Sequence, residues 1–449
     1  VNIMMKYLEI IVIFILNIAI TITVVQLLLY TVLLLIGLKK PKREYTIRND
    51  KLSFLFLIPS CNEQYVIKDT LKNLKNINYD KNLYDVVTLV NNSTDDTFNI
   101  SKSLGVKTFD IKFSDNEPKG KPYVLKKFFE SNNFWKNFDY IVILDADNII
   151  SPLYLKEINS QILSDTYKDE EIICVQGYLG IKNILSSFVS AGYSASYFVA
   201  NRGFQLAKHR LRKNPAIGGT GFALKTKYLI ENGWKPKSYT EDFELQVELA
   251  INSKRVLWNH FATVYDEKPT TVKASHKQRT RWCQGHWYVA ISTTPKQILG
   301  ILKSKNLSDF LNKFATLMYS YSMIRVITIF FILCLSVVFA KVRELIPGLF
   351  SVMVVWIICS IINYIIIPFY YIVTEGKDAF ISKFTLYEKI KNFIKIYIGF
   401  FYASFIYIAA QIKGFFTCFK PQNNWVKTEH KMTDKSVIWN QDDYNFKNT

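Results

Sequence analysis

The sequence contains little cysteine, and the cysteines it has follow no recognisable spacing. Six occur among 449 residues, none of them in a C-x-x-C pair, and two lie inside long apolar runs. This distribution excludes a disulfide framework and a cysteine-based zinc site. It is typical of a chain whose soluble part lies in a reducing compartment.

Acidic residues are also scarce relative to basic ones. The chain has 37 Asp and Glu against 56 Lys and Arg, which gives a formal net charge of +19. Such a charge indicates an anionic partner: a lipid surface, nucleic acid or a phosphorylated small molecule. No basic run is interleaved with aromatic residues, so no nucleic-acid partner is expected. Basic residues beside apolar segments favour membrane lipids instead.

An apolar run near the N-terminus predicts a membrane span. Residues 10–38 are almost continuously apolar, which is long enough to cross a bilayer with tilt. The run is too long for a signal peptide, and no small-residue cleavage site follows it. Four basic residues come next and predict that the following domain is cytoplasmic. They are Lys39, Lys40, Lys42 and Arg43.

The C-terminal part predicts a return to the membrane. An amphipathic interfacial helix is expected over residues 296–312, followed by spans at 314–340, 348–373 and 396–412, of which the last is the shortest. Three spans would leave the tail outside, so a cytoplasmic tail requires one hairpin, re-entrant or interfacial segment. The aromatic residues at 369–371 indicate either an interfacial belt, the favoured interpretation, or a surface that stacks on sugars.

Apolar strands alternate with helical stretches between about residues 52 and 290. LSFLFLIPS, YDVVTLVNNS and YIVILDAD are short apolar runs that each end in polar residues. The alternation predicts an α/β domain with a mostly parallel sheet. Ligands of such sheets bind outside the carboxyl ends of the strands. The polar residues therefore predict a site at that edge.

Two carboxylate motifs belong to this predicted site. Asp145 and Asp147 follow the third strand as D-A-D, and hard divalent ions bind carboxylate and phosphate oxygens together. Thr240, Glu241 and Asp242 open a helical stretch. One interpretation is a helix N-cap with favourable acids in the first turn. The other is a general base for an acceptor hydroxyl.

Basic and aromatic residues form two further candidate motifs. Gln278, Arg281 and Trp282 have the spacing Q-x-x-R-W, in which the guanidinium could bind phosphate and the indole could lie against a sugar ring. An interfacial anchor is the alternative. Lys119 and Lys121 flank a glycine in a loop, either as a solvated turn or as counter-charges to a diphosphate.

Taken together, the motifs occur in the order of a known family. The chain resembles the family 2 processive glycosyltransferases of the cellulose, chitin and hyaluronan synthase type, from about residue 54 to residue 287 and again in the tail. The matching segments are IPSCNE, VNNSTDDT, KGKPYVLK, DAD, GGTGFALKTKYLIENGW, TED, the Q-x-x-R-W motif and WVKTEH. Cys61 replaces the usual aromatic residue, and Asn91 stands where the family has Asp. An amide can still hydrogen-bond a base, but its charge and donors differ.

The resemblance implies a GT-A fold, an α/β Rossmann-like cytoplasmic domain flanked by transmembrane helices. It also implies residue roles. Nucleotide contacts are expected from Glu63, Asn91, Lys121 and Asp145. A Mg²⁺ or Mn²⁺ ion is expected at Asp145 and Asp147. The general base is expected at Asp242, with Glu241 beside it. The diphosphate and acceptor sugar are expected at Gln278, Arg281 and Trp282.

The expected function is that of a hexosyltransferase that inverts the configuration of a UDP-sugar and extends a β-linked polysaccharide. The expected location is the plasma membrane, as a multi-pass protein, with accessory secretion subunits as further partners. A transferase that adds one sugar to a lipid acceptor is the alternative, and an inactive scaffold is disfavoured because the motifs are present. The expected units are a membrane helix with its basic flank at 1–45, a catalytic domain at 46–295, an interfacial and membrane region at 296–417 and a tail at 418–449.

Overall fold

The computed structural model of the protein describes residues 2–322, 324, 349–376 and 385–422. An eight-stranded sheet forms the centre of its soluble part. The strands are β1 (Phe54–Ser60), β2 (Tyr84–Asn91), β3 (Lys107–Ile111), β4 (Tyr140–Ile143), β5 (Ile149–Ile150), β6 (Ile172–Ile181), β7 (Phe222–Lys225) and β8 (Arg255–Asp266). The three strands predicted from the sequence correspond to β1, β2 and β4.

Helices surround the sheet and continue into a bundle of long apolar helices. The α-helices are α1 (Asn2–Gly37), α2 (Ile67–Lys75), α3 (Thr97–Ser103), α4 (Lys121–Ser131), α5 (Tyr154–Ile162), α6 (Phe188–Val199), α7 (Ala207–Arg210), α8 (Thr226–Asn232), α9 (Glu241–Ile251), α10 (Val272–Leu302), α11 (Leu307–Ser320), α12 (Leu349–Ser360), α13 (Ile367–Glu375) and α14 (Leu386–Thr417). Short 3₁₀ helices lie at Phe134–Asn137 and Asp165–Tyr167, and π-helical segments at Ala200–Leu206 and Ile361–Ile366.

The sheet is parallel in one half and mixed in the other. Its order is β3-β2-β1-β4-β7-β6-β8-β5. The first four strands in this order are parallel, whereas β7 is antiparallel to both β4 and β6. The α/β class is therefore confirmed, and the expectation of a mostly parallel sheet holds for one half.

The direction of β7 brings separate loops to one edge of the sheet. Ile143 at the end of β4 is paired with Phe222 at the start of β7. Ile181 at the end of β6 is paired with Asp266 at the end of β8. The loops after β4, β6 and β8 and the loop before β7 therefore meet at the carboxyl edge of β4.

The core lies on both faces of the sheet, as the uninterrupted apolar strand β1 predicts. Phe54, Phe56 and Ile58 pack into a cluster on one face, and Leu55 and Leu57 pack into a cluster on the other. All five side chains are completely buried. The central strand is thereby fixed, and with it the polar loop at its carboxyl end.

Three described helical segments are long and apolar enough to cross a membrane: Asn17–Gly37, Val354–Glu375 and Leu386–Thr417. The first two correspond to the predicted spans at 10–38 and 348–373. The span predicted at 396–412 lies inside α14, which has 32 residues, so it is not the shortest. Most of the span predicted at 314–340 lies outside the described residues, as does the tail motif at 425–430.

The interfacial helix predicted over residues 296–312 is wrong as a single element. Residues 296–302 are the end of α10, and a new helix, α11, begins at Leu307. The break has a local cause. The side chain of Asn306 accepts a hydrogen bond from the amide of Asp309 at 2.9 Å and so caps the new helix.

Two arginines join the C-terminal end of α1 to the domain that contains the sheet. Arg202 Nε donates to the carbonyl of Gly37 at 3.1 Å, and Arg210 Nη1 donates to that of Ile36 at 2.9 Å. The last carbonyls of a helix lack intrahelical donors, and its C-terminus favours cations. Arg202 also pairs with Glu375 at the end of α13. This junction sets the membrane helices at a defined position over the sheet.

Candidate active site

A cavity of about 1210 Å³ lies at the carboxyl edge of the sheet and extends between the membrane helices. Nine of the predicted site residues line it. They are Glu63, Lys121, Asp145, Asp147, Glu241, Asp242, Gln278, Arg281 and Trp282. The fold therefore brings together, around one space, residues that are separated by more than two hundred positions in the sequence.

Lys121 is the centre of an ion-pair network on the sheet side of the cavity. It is the first residue of α4, preceded by Gly120 at φ 132°, a conformation that favours glycine. Its Nζ donates to Asp145 Oδ1 at 2.6 Å and to the carbonyl of Gly219 at 2.5 Å, and lies 3.5 Å from Glu241 Oε1. Burial alone would lower the pKa of Lys121, but the two carboxylates raise it, so the group stays charged.

The D-A-D carboxylates offer oxygen ligands to a divalent cation. Asp147 Oδ1 accepts a hydrogen bond from the side-chain Nδ2 of Asn148 at 3.0 Å, which orients the carboxylate, and Asp145 lines the same cavity. In the part of the chain that the structure describes, no cluster of three or more metal-binding side chains occurs. Mg²⁺ commonly binds through one or two carboxylates plus substrate phosphates. The two aspartates therefore fit a cation completed by a diphosphate.

Glu241 and Asp242 begin α9 and line the cavity next to Lys121. Thr240 stands at the N-cap position, but its side chain makes no capping hydrogen bond. The capping part of the N-cap interpretation is therefore wrong, whereas its acidic first turn is present, with Glu241, Asp242 and Glu244. Burial, together with the neighbouring Glu241, raises the pKa of Asp242 to about 7. A Cβ on Gly219 would lie 3.3 Å from Asp242 Oδ2, so a glycine there leaves room beside the carboxylate.

The Q-x-x-R-W motif lies on one face of α10 because its residues are three and four positions apart. Gln278 Oε1 accepts a hydrogen bond from Tyr193 OH at 3.1 Å. Trp282 packs edge-to-face against the ring of Tyr193, with centroids 6.3 Å apart. These side chains face the cavity, which is not the arrangement of an anchor turned toward lipid.

Asn91 lies away from this group. It is buried at the end of β2, and of the described site residues it alone does not line the cavity. Neighbouring polar residues hold two loops together: the amide of Glu63 donates to Thr97 Oγ1 at 2.8 Å, and that of Gln64 donates to Asp95 Oδ2 at 3.1 Å. Much of the VNNSTDDT segment thus orients Glu63.

Sequence reasoning missed a group at the end of β8. Lys268 pairs with Asp266, and its Nζ donates to Tyr197 OH at 2.7 Å. The same Nζ lies 5.6 Å from the ring centroid of Trp282. These residues line the cavity. The sequence contains a signal for this group, because the segment D-E-K at 266–268 follows an apolar run just as the other polar segments of the site do.

Sequence reasoning also missed Gly285, seven positions after Gln278 and therefore on the same face of α10. A Cβ on Gly285 would lie 2.9 Å from the backbone nitrogen of Thr240. A larger residue would push α10 away from the loop that leads to Asp242. This glycine sets the distance between the two motifs.

The described part of the chain ends at the mouth of the cavity. Gln422 lines the cavity, and its Oε1 accepts a hydrogen bond from the amide of Tyr239 at 2.8 Å. Tyr239 directly precedes the T-E-D motif. The tail thus begins next to the loop that carries the predicted base.

A chain with this sheet and this cavity belongs to a defined class of transferases. The family described as "Glycosyltransferase like family 2" matches residues 52–285, just over half of the sequence. The protein is a member of this glycosyltransferase family, with a GT-A fold and apolar helices on both sides of the catalytic domain.

Two relatives and one solved structure illustrate the similarity. The probable glycosyltransferase YdaM of Bacillus subtilis (strain 168) is 26% identical over 397 residues, 85% of this chain and 87% of that protein. The poly-beta-1,6-N-acetyl-D-glucosamine synthase of Staphylococcus aureus (strain COL) is 25% identical over 237 residues, 51% of this chain and 53% of the synthase. This chain therefore aligns with about half the length of that synthase.

The solved structure is the mannosyltransferase PcManGT from Pyrobaculum calidifontis, in complex with GDP-Man and Mn²⁺. It matches with a TM-score of 0.53 and 15% identity, over 90% of this chain and 99% of PcManGT. At this level of identity the match demonstrates a shared fold. The shared region includes apolar helices as well as the sheet, because it covers most of both chains.

Proposed function

We propose that the protein is a membrane-embedded inverting glycosyltransferase that transfers sugar from a UDP-sugar to a growing β-linked polysaccharide and guides the polymer into the membrane. The observation that carries this proposal is the continuity of the cavity. One space is lined by Asp145 and Asp242 and also by side chains of the membrane helices, among them Gln26 and Asn363.

The donor would bind on the Lys121 side of the cavity. Lys121 and Arg281 both line the cavity, and each would supply a positive charge to a diphosphate there. A Mg²⁺ or Mn²⁺ ion, held by Asp145 and Asp147, would neutralise charge on the leaving diphosphate. Glu63 would contact the nucleotide. Because Asn91 does not line the cavity, we assign no direct nucleotide contact to it.

The acceptor hydroxyl would be deprotonated by Asp242. A base with a pKa near neutral is mostly available at physiological pH and still accepts a proton readily. Glu241, paired with Lys121, would keep the donor and acceptor sides at a fixed distance. Attack on the anomeric carbon from the side opposite the diphosphate inverts its configuration. Gln278 and Trp282 would support the acceptor sugar.

The membrane part of the cavity favours a polar product. Buried polar atoms of four lining residues have no hydrogen-bond partner within the described residues. They are Gln26 Oε1, Trp356 Nε1, Ser360 Oγ and Asn363 Oδ1. Unsatisfied polar atoms inside a membrane are costly, so such groups indicate a polar ligand or water. Sugar hydroxyls would satisfy them.

The relative named poly-beta-1,6-N-acetyl-D-glucosamine synthase supports a β-linked polysaccharide as product, within the half of its length that aligns. We further propose that residues 46–295 form the cytoplasmic catalytic domain of a multi-pass plasma-membrane protein. This domain would be anchored and covered by three other parts of the chain: the segment 1–45, the region 296–417 and the tail 418–449. Membrane lipids, and accessory subunits for secretion, would be its partners.

The test is product analysis with the purified full chain in detergent, Mg²⁺ or Mn²⁺ and a panel of radiolabelled UDP-sugars. A high-molecular-weight product from one donor, absent with the Asp242→Asn variant, is the expected result. A short, lipid-extractable product would replace the proposal with single addition to a lipid. Release of no UDP from any donor would contradict an active transferase.

A further inference from the structure

Lys208 of α7 and Lys213, three residues after that helix ends, line the cavity near α1. The amide of Lys213 donates to the carbonyl oxygen of Lys208 at 2.8 Å, so the two residues share one turn. Lys213 Nζ donates to the hydroxyl of Ser308 at 2.9 Å, a neutral partner. Lys208 Nζ lies 5.0 Å from the centroid of the Tyr319 ring. Among the described residues, no carboxylate lies within 4.0 Å of either ammonium.

The missing counter-charge has an energetic consequence. Burial lowers the pKa of Lys208 to about 8, so the group is still mostly protonated at neutral pH. A desolvated ammonium is costly unless an anion pairs with it. The stacked ring of Tyr319 compensates for only part of that cost. An anion supplied from outside the chain would stabilise this turn.

The walls beside these lysines are apolar. Leu29 and Leu33 of α1 line the cavity at a spacing of four residues, and Leu311, Ala315 and Met318 of α11 line it on one face of that helix. α1 packs against α7, and Gln26 of α1 bonds to backbone carbonyls at the end of α11. A soluble anion alone would leave these side chains uncovered. An amphiphile would fill both parts of the space.

We propose that Lys208 and Lys213 bind the phosphate head group of a membrane lipid whose hydrocarbon chain lies between α1 and α11. The head group would lie close to the acceptor side, because the Tyr319 ring contacts Phe243, next to Asp242, at a centroid distance of 5.5 Å. This site is additional to the proposed sugar transfer, and its occupancy does not depend on which sugar is used.

The test measures lipid binding without any transfer reaction. The full chain in neutral detergent micelles is titrated with dioleoyl phosphatidic acid, and with dioleoylglycerol, which has the same chains and no phosphate. We expect saturable binding of phosphatidic acid, and at least about tenfold weaker binding by the Lys208→Gln, Lys213→Gln double variant. The Lys208→Arg, Lys213→Arg double variant, which keeps both positive charges, should keep the affinity for phosphatidic acid. Lys296→Gln, an exposed lysine of α10 outside the cavity, is the matched control.

Several outcomes would overturn the proposal. If the wild type and the double glutamine variant bind phosphatidic acid with equal affinity, the two lysines are not part of the lipid site. Equal binding of dioleoylglycerol would reduce the site to an apolar groove. If inorganic phosphate or UDP displaces bound phosphatidic acid as effectively as the lipid itself does, the lysines bind a soluble anion instead. The comparison of the two lipids on the wild-type chain decides the question even if the glutamine variant does not fold. Because no sugar is transferred, a failed polymer assay leaves this result intact.

Discussion

Three acidic side chains on the sheet side of the cavity have partners in the protein, whereas several neutral polar atoms on the membrane side have none among the described residues. On the sheet side, Lys121 pairs with Asp145 and Glu241, and Asp147 accepts a hydrogen bond from the side-chain amide of Asn148, so these acids are held in place before any ligand binds. On the membrane side, polar atoms such as Gln26 Oε1 and Asn363 Oδ1 are buried with no partner among the described residues.

The difference indicates that the two sides of the cavity have different functions. A preorganised set of charges stabilises a charge distribution that develops during reaction, because it does not have to reorient. Polar atoms without a protein partner are free to hydrogen-bond to the product, and they favour a polymer because each of its sugar units offers similar hydroxyl groups. We therefore expect the rate of sugar transfer to depend on the sheet side of the cavity and the product length to depend on the membrane side. Variants that separate rate from length test this division.

Loss of the proposed base should have the largest effect. We expect Asp242→Asn to lower kcat by roughly 10²–10⁴-fold, because an amide cannot accept the hydroxyl proton. Nucleotide affinity should be unchanged, since Lys121, Asp145 and Arg281 remain. Turnover and UDP binding by calorimetry are the two measurements. Asp165→Asn, at an exposed position far from the cavity, is the control. A fully active Asp242→Asn enzyme would refute the assignment.

Breaking the charge network should have the next largest effect. Lys121→Met would leave two carboxylates facing each other and remove a counter-charge from the diphosphate. We expect kcat/KM to fall about ten- to hundredfold. Stability should change less than for a fully buried pair, because the Asp145 side chain is 43% exposed.

Lys126→Met, on the exposed side of the same helix, is the matched control for Lys121→Met. Initial rates at varied donor concentration, together with thermal melting, separate the two effects. If Lys121→Met loses activity only because it unfolds, its melting temperature will fall while the donor KM of the folded fraction stays normal. That result would remove Lys121 from donor binding.

A pH profile probes the same region without a mutation. Since burial and Glu241 raise the pKa of Asp242 to about 7, the base is increasingly protonated below neutral pH. kcat/KM should therefore rise with pH, by about tenfold per unit below the apparent pKa, and level off above it. The profile reports the Glu241–Asp242 pair as a unit. A flat profile between about pH 5.5 and about pH 8.5 would contradict a carboxylate base with a raised pKa.

The part of this site that the sequence predicted is the part encoded locally. D-A-D, T-E-D and Q-x-x-R-W lie next to recognisable strand ends or on one helix face, so periodicity and order were enough to identify them. The group around Lys268 depends on the pairing of β6 with β8, a contact between distant segments. Gly285 matters only because α10 crosses the loop at Thr240. The D-E-K segment is a local pattern, but neither of these contacts between distant segments is visible in one.

The membrane region was harder to predict, because hydropathy gives the length of a span and not its neighbours. The run at 396–412 was recognised, but its polar and aromatic extensions hid the full length of α14. Among the aromatic residues at 369–371, Tyr371 is buried and donates to the carbonyl of Leu34 at 2.5 Å. It packs two spans together, which was neither of the two interpretations offered for it.

The smallest expected effect concerns product length. Asn363 lines the cavity, and Asn363→Leu removes its buried, unpartnered carbonyl oxygen together with one hydrogen bond from its side-chain nitrogen to Thr31 Oγ1. We expect nearly normal rates of UDP release but shorter products on a sizing gel, because each sugar unit loses a polar contact along the path. Asn17→Leu changes an exposed polar residue of α1 outside the cavity and should leave length unchanged. Normal product length in Asn363→Leu would mean that the polymer does not pass this residue. Equal shortening in both variants would point to membrane packing instead, because only one of the two side chains can meet the product.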